Sequence, residues 1–216
     1  MQIKSITPPV TGWLEIDLDE NIITYLNELI DQSKIDNISM KDSLAGHISS
    51  SLALKDKEDY LMDNLLINCA NQFDQAFPAA AKLVNHIGTQ QRLALNSLWV
   101  NYMKKNEYNP PHDHSDYLSF VIFLKVPEEI TKEQEDFVGN SAGPGSLSFL
   151  YGDGNRQSIT YQSVKPQDRD IFIFPAWIKH YVAPFYSDVT RISVSGNISN
   201  SVFLNQIKKV NQNEGK

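Results

Sequence analysis

The chain has one cysteine, Cys69, among 216 residues. That excludes an internal disulfide and a cysteine-rich zinc site, and it points to a reducing, cytoplasmic setting. No apolar run approaches the ~18 residues that a membrane span requires. The segment Met1 to Pro9 lacks a long apolar stretch, so no signal peptide is expected. Basic residues are few: 19 Lys and Arg stand against 26 Asp and Glu, a net charge of −7. A general nucleic-acid binder needs a basic face, and the pair Lys208-Lys209 is too small to make one. Internal repeats and low-complexity segments are also missing. What remains is ordinary globular composition, 41% apolar and 21% charged. The length suits one domain with a well-buried core.

Residues 1–18 read as an extended lead-in, because Pro8-Pro9 and Gly12 break any helix and Trp13 to Leu18 alternates like a strand. Asp19 is a candidate cap for a helix in which Ile22, Leu26, Leu29 and Ile30 recur at helical spacing to about Ser33. Residues 36–51 are polar, contain Gly46, and read as a loop. A second helix is expected from near Asp56, with Leu61, Leu65, Cys69 and Phe73 as its apolar stripe. Cys69 is then a core residue rather than a nucleophile. Pro78 ends that helix or begins a short third one over 79–84. His47 and His86 have no partner motif and read as surface or structural residues.

From Arg92 the period changes to two. Strands are expected at 92–102, 117–126, 146–151, 159–164, 170–174, 178–183 and 190–198. They are separated by turn residues such as Gly143-Pro144-Gly145, Gly152-Asp153-Gly154 and Pro166-Gln167-Asp168. Short strands with regular turns indicate a β-sandwich or barrel. The chain thus divides into 1–91, a lead-in with supporting helices; 92–204, a β core; and 205–216, a polar tail, within one structural domain.

The chemistry-bearing residues are concentrated. Two of the five histidines lie in Asn109-Pro110-Pro111-His112-Asp113-His114-Ser115-Asp116, and a third is His180. In extended chain, residues two apart share a side, so His114 and Asp116 can present one imidazole and one carboxylate together. With His180 they make two histidines and a carboxylate, the set associated with non-haem Fe(II) oxygenases. A second register is open, in which His112 is a ligand and His114 takes the carboxylate's place; charge balance favours His114 and Asp116. Arg191, one strand beyond His180, can offer its fork to a carboxylate, with Ser193 on the same face as a further donor.

These pieces resemble the Fe(II)- and 2-oxoglutarate-dependent oxygenases, in particular the prolyl-hydroxylase-like branch. The resemblance runs through Trp99-Val100-Asn101-Tyr102, Tyr108 to Asp116, Leu118 to Leu124, Asp170 to Trp177 with His180, and Arg191-Ile192-Ser193. It implies a mainly β fold, a double-stranded β-helix or jelly roll, with the N-terminal helices packed on the sheet. It also implies Fe(II) on the ligands above and 2-oxoglutarate on Arg191, Ser193 and Tyr102. Tyr102, Phe123 and Trp177 would line the pocket. Oxidative decarboxylation to succinate would be coupled to hydroxylation of a protein side chain or small molecule, with ascorbate as reductant and a homodimer as a possible assembly. A jelly-roll binding module without turnover, or a cupin-like metal enzyme without 2-oxoglutarate, are the other readings. The first leaves the whole residue set unexplained, and the second leaves Arg-x-Ser unexplained.

Overall fold

Period-two alternation puts one face of each long strand against helices and the other against a second sheet. A computed structural model describes residues 12–78, 80–81, 93–151 and 161–200. Expectations for residues 1–11, for His86, for Gly152-Asp153-Gly154 and for the tail over 205–216 lie outside the described residues, as does most of the third helix over 79–84.

The larger sheet has six strands in the order β1-β8-β5-β10-β3-β2. They are β1 (Leu14–Asp17), β2 (Ser51–Ala53), β3 (Leu93–Lys104), β5 (Leu118–Lys125), β8 (Asp170–Pro175) and β10 (Thr190–Asn200). The smaller sheet has the order β4-β9-β6-β7, from β4 (Asn109–His112), β6 (Leu147–Leu150), β7 (Tyr161–Val164) and β9 (Lys179–Val182). All the pairings are antiparallel. This is the jelly roll that the resemblance implied, within the sandwich-or-barrel class that the strand pattern indicated.

The outer face of the large sheet carries Val100, Leu118, Phe120, Ile122, Ile171, Ile173 and Val194, packed against α1 (Glu20–Asp36) and α2 (Ile67–Ala76). Helix α1 buries the expected Ile22, Leu26, Leu29 and Ile30. Asp19 occupies its N-cap in extended conformation but makes no side-chain cap bond there. Asp56 takes up the start of the second helical region instead, its carboxylate accepting the backbone N–H groups of Leu61 and Met62 and the Tyr25 hydroxyl. Cys69 is buried in this core, and burial pushes its thiol up to about 11, consistent with an inert packing residue. The inner faces of the two sheets meet over Phe123, Leu147, Phe149, Phe172, Phe174 and Ile178.

Three elements depart from the sequence reading. Strand β2 begins at the last residue of the stretch read as loop and runs on to Ala53, where no strand was expected. Strand β4 contains Pro110 and Pro111, and it sits at the edge of the small sheet, where a missing N–H costs no ladder bond. Helix α3 (Glu128–Asp136) buries only Ile130 and Gln134, too little for a periodic signal. Among the described residues no helix is long and apolar enough to cross a membrane.

Candidate active site

The pairing of β4 with β9 sets His112 directly across from His180. Their ring centroids are 4.3 Å apart, and His114 lies 5.1 and 5.3 Å from them. One ring nitrogen from each of the three lies within 4.8 Å of the others, the spacing of a shared metal ion.

Two of the rings are oriented by backbone carbonyls. His112 Nδ1 donates to Pro110 O at 2.7 Å, and His180 Nδ1 donates to Ile178 O at 3.0 Å. A carbonyl only accepts, so in both rings the proton sits on Nδ1 and Nε2 carries the lone pair, which in His112 faces Asn109 Nδ2 at 3.4 Å. His114 is tied through its backbone N–H, which donates to Ala176 O at 2.8 Å. Burial, reinforced by the neighbouring His112, pushes His114 down to about 4 and His180 down to about 3. Both are neutral at pH 7, as metal ligands must be.

Asp116 is not part of this cluster. The chain bends over 115–117, so the extended geometry that would have put Asp116 beside His114 ends before it gets there. Its Oδ1 accepts from Asn96 Nδ2 at 3.1 Å and from the Ser199 hydroxyl. The structure therefore gathers His112, His114 and His180, and leaves the carboxylate that charge balance had favoured outside.

Arg191 lies in the same cavity, of about 300 Å³, that the histidines line. It is buried, and burial pushes its guanidinium down to about 10, so it stays charged at neutral pH. Nη1 donates to Gly145 O at 2.6 Å, Nη2 donates to Met103 Sδ at 2.8 Å, and the group stands 5.1 Å over the Phe123 ring. Its Nε has no partner among the described residues. Among the described residues no carboxylate pairs with it. A buried cation without a counter-charge is costly. Ser193, two residues along β10, lines the cavity beside it.

Helix α3 has its role here. Ile130 lies against Gly145, and Gln134 Nε2 donates to Pro144 O at 2.8 Å. Gly145 has φ +68, and a Cβ on it would come 2.7 Å from Ile130 Cγ2. The insert thus holds the carbonyl that grips Arg191.

Two other expected lining residues are placed elsewhere. In the β10–β3 register Arg191 faces Met103 and Ser193 faces Asn101. Directly opposed residues share a face, so Tyr102 points to the other side and packs against the helix-side core. Trp177 is 45% exposed and does not line the cavity, whereas Phe123 does. The sequence reading missed Asn101, whose Oδ1 is buried and unpartnered, and Trp99, whose indole N–H is likewise unpartnered. Register was the missing signal. The cavity is also lined by Met40, Leu44 and Ile48. That segment is latched by His47 N donating to Tyr108 O at 3.0 Å and Ser49 N donating to Glu107 Oε1 at 2.9 Å.

The description "Putative 2OG-Fe(II) oxygenase" belongs to the family model that matches residues 97–197. No curated protein matches the chain. Among solved structures, a prolyl-4-hydroxylase from Pseudomonas putida is 13% identical with a TM-score of 0.54, over 88% of this chain and 92% of that one. A Trichoplax adhaerens prolyl hydroxylase, solved with a hypoxia-inducible-factor peptide fragment, is 12% identical with a TM-score of 0.52, over 89% and 86%. The collagen prolyl hydroxylase of Paramecium bursaria Chlorella virus-1, in its 2OG complex, is 14% identical with a TM-score of 0.51, over 86% and 94%. At these identities the likeness speaks for the fold. Residues 97–197 are thus similar to the putative 2OG-Fe(II) oxygenase family, and the fold across most of the chain is similar to that of these hydroxylases.

Proposed function

We propose that the protein is a 2-oxoglutarate-dependent Fe(II) hydroxylase in which His112, His114 and His180 hold the metal. Arg191 and Ser193 hold the far carboxylate of 2-oxoglutarate. The observation that carries this reading is the presence, in one cavity, of three convergent imidazoles and a buried guanidinium with no acid partner among the described residues. Imidazole nitrogens suit Fe(II), and three of them would hold it with coordination positions to spare for a co-substrate.

Iron and 2-oxoglutarate, when bound with O₂, supply the oxidising chemistry: decarboxylation to succinate and CO₂, coupled to placing oxygen on a C–H bond of the substrate. The protein's part is geometric. The Pro110 and Ile178 carbonyls lock two imidazoles in the ligating tautomer. Gly145 O and Met103 Sδ fix the guanidinium so that little freedom is lost when a carboxylate arrives. The Ser193 hydroxyl adds a donor. The Phe123 face and the latched 40–49 segment limit water around the reacting groups. With three histidines in place of two and a carboxylate, the ligand set itself is neutral, so the negative charge comes from the dicarboxylate.

The test is anaerobic addition of Fe(II) and then 2-oxoglutarate, followed by visible spectroscopy. A weak metal-to-co-substrate charge-transfer band is expected, lost in His180→Ala. Succinate release in air, with ascorbate as reductant, should follow the same pattern. A protein that binds neither iron nor 2-oxoglutarate would be a jelly-roll module without turnover.

A further inference from the structure

We infer that the end of the cavity away from Arg191 is a substrate subsite for a small uncharged group carrying a carbonyl-type oxygen. Ser97, Asn197 and Ser119, together with the indole N–H of Trp99, supply its recognition. This inference rests on the oxygenase reading above and names a substrate class for it.

Strand geometry separates the two ends. Arg191 and Asn197 lie on the same strand six residues apart, which is about 20 Å of extended chain. 2-Oxoglutarate spans on the order of 5 Å from C1 to C5, given carbon–carbon bonds of about 1.5 Å. A molecule gripped by Arg191 therefore does not reach Asn197. The histidines stand between these ends and close to the second. His114 lies 6.3 Å from the Trp99 ring, and Trp99 pairs with Ser195. His180 lies 4.6 Å from Phe174, and Phe174 pairs with Ser119.

The hydrogen bonds there run in one direction. Ser119 Oγ donates to Asn197 Oδ1 at 2.7 Å, and Asn197 Nδ2 donates to Ser97 Oγ at 3.0 Å. Ser97 receives at the end of this relay, so its own O–H is left to donate. Trp99 is only 8% exposed, its N–H has no partner among the described residues, and indole nitrogen can do nothing but donate. An unpartnered buried N–H is uncommon in a folded protein and calls for an acceptor.

Charge excludes the ionic alternatives. Apart from the histidines, the charged side chains lining this cavity are Arg191, at the far end, and Asp113, which is exposed. Among the lining side chains a carboxylate in the subsite would meet no cation, and an ammonium would meet no buried anion. The neighbouring wall is Met40, Leu44 and Ile48, which suits an apolar flank. At about 300 Å³ in all, shared with the co-substrate, the cavity is at the small end for ligand sites.

Three probes of one skeleton decide the matter: isobutyramide, isobutyrate and isobutylamine. Their binding to the zinc(II)-loaded protein with saturating 2-oxoglutarate is measured by saturation-transfer NMR, and 2-oxoglutarate binding to the same sample by calorimetry. The amide is expected to bind about tenfold more tightly than either charged probe, with Ser97→Ala and Trp99→Phe each removing most of that advantage. Equal or stronger binding of a charged probe, or no amide binding in a sample that binds 2-oxoglutarate, overturns the subsite and leaves the oxygenase reading intact. If 2-oxoglutarate itself does not bind, the oxygenase reading fails and the subsite with it. Should Trp99→Phe not fold, the ranking on the unaltered protein and the Ser97→Ala variant still decide.

Discussion

Replacing Arg191 by methionine separates a binding residue from a structural tie. The guanidinium is buried without an acid partner, and burial has pushed it down to about 10. That displacement corresponds to roughly 3 kcal/mol of unrecovered desolvation. Removing the charge relieves it, but leaves Gly145 O without its charged donor, a loss of about 1.5–3 kcal/mol. The two nearly cancel, so Arg191→Met should fold with a stability within about 1–2 kcal/mol of the parent protein. The contrast appears on adding 2-oxoglutarate with anaerobic Fe(II). At one hundred times its Kd the ligand stabilises the parent by about 2.7 kcal/mol, a Tm rise of roughly 5–10 °C for a domain of this size. The variant should show no such rise. Differential scanning fluorimetry reads both quantities at once. A variant weakened by more than about 3 kcal/mol that still shows the full ligand shift would refute the argument and make Arg191 a strut between Gly145 and Met103.

Equilibrium dialysis should separate the metal ligands: His112→Ala loses iron affinity by about 100-fold or more, whereas Asp116→Ala keeps it within a few-fold. Asp116→Ala should instead cost about 1–2 kcal/mol of stability on urea unfolding, since Ser199 and Asn96 lose their acceptor. His114 and His180 are held well below the usual histidine value, so the unfolded chain binds more protons than the native one below about pH 6.5. Stability of the metal-free protein should therefore be full above that pH and fall as pH drops through it, by about 4 kcal/mol for the pair by pH 5. A urea midpoint flat between pH 7 and 5 would contradict this. Gly145→Ala forces a side chain at φ +68 against Ile130 and should cost about 1–3 kcal/mol while weakening 2-oxoglutarate binding through the displaced carbonyl. Calorimetry showing unchanged co-substrate affinity in that variant would detach Gly145 from the site.

Much of the architecture was legible because it depends on local rules. The helical spacing of Ile22, Leu26, Leu29 and Ile30, and the period-two runs in β3, β5, β8 and β10, each declare a buried face without reference to any other segment. Helix α3 was not legible, because a single buried isoleucine and one glutamine make no periodic stripe. Nor was β4, since its two prolines read as a turn until the edge position that tolerates them is known.

The site divides along the same line. Composition and order alone determined that an unusual density of imidazole and carboxylate precedes a strand, and that Arg191 and Ser193 share a side two residues apart. Which face looks into the cavity was decided by tertiary pairing: the β10–β3 register turns Asn101 and Met103 inward and Tyr102 outward. Which side chains gather was decided in the same way. A β4–β9 pair places His112 against His180, and a bend at 115–117 carries Asp116 to Ser199. Spacing along a chain tells which side chains travel together. Where they arrive depends on hydrogen bonds to strands dozens of residues away, which no local period encodes.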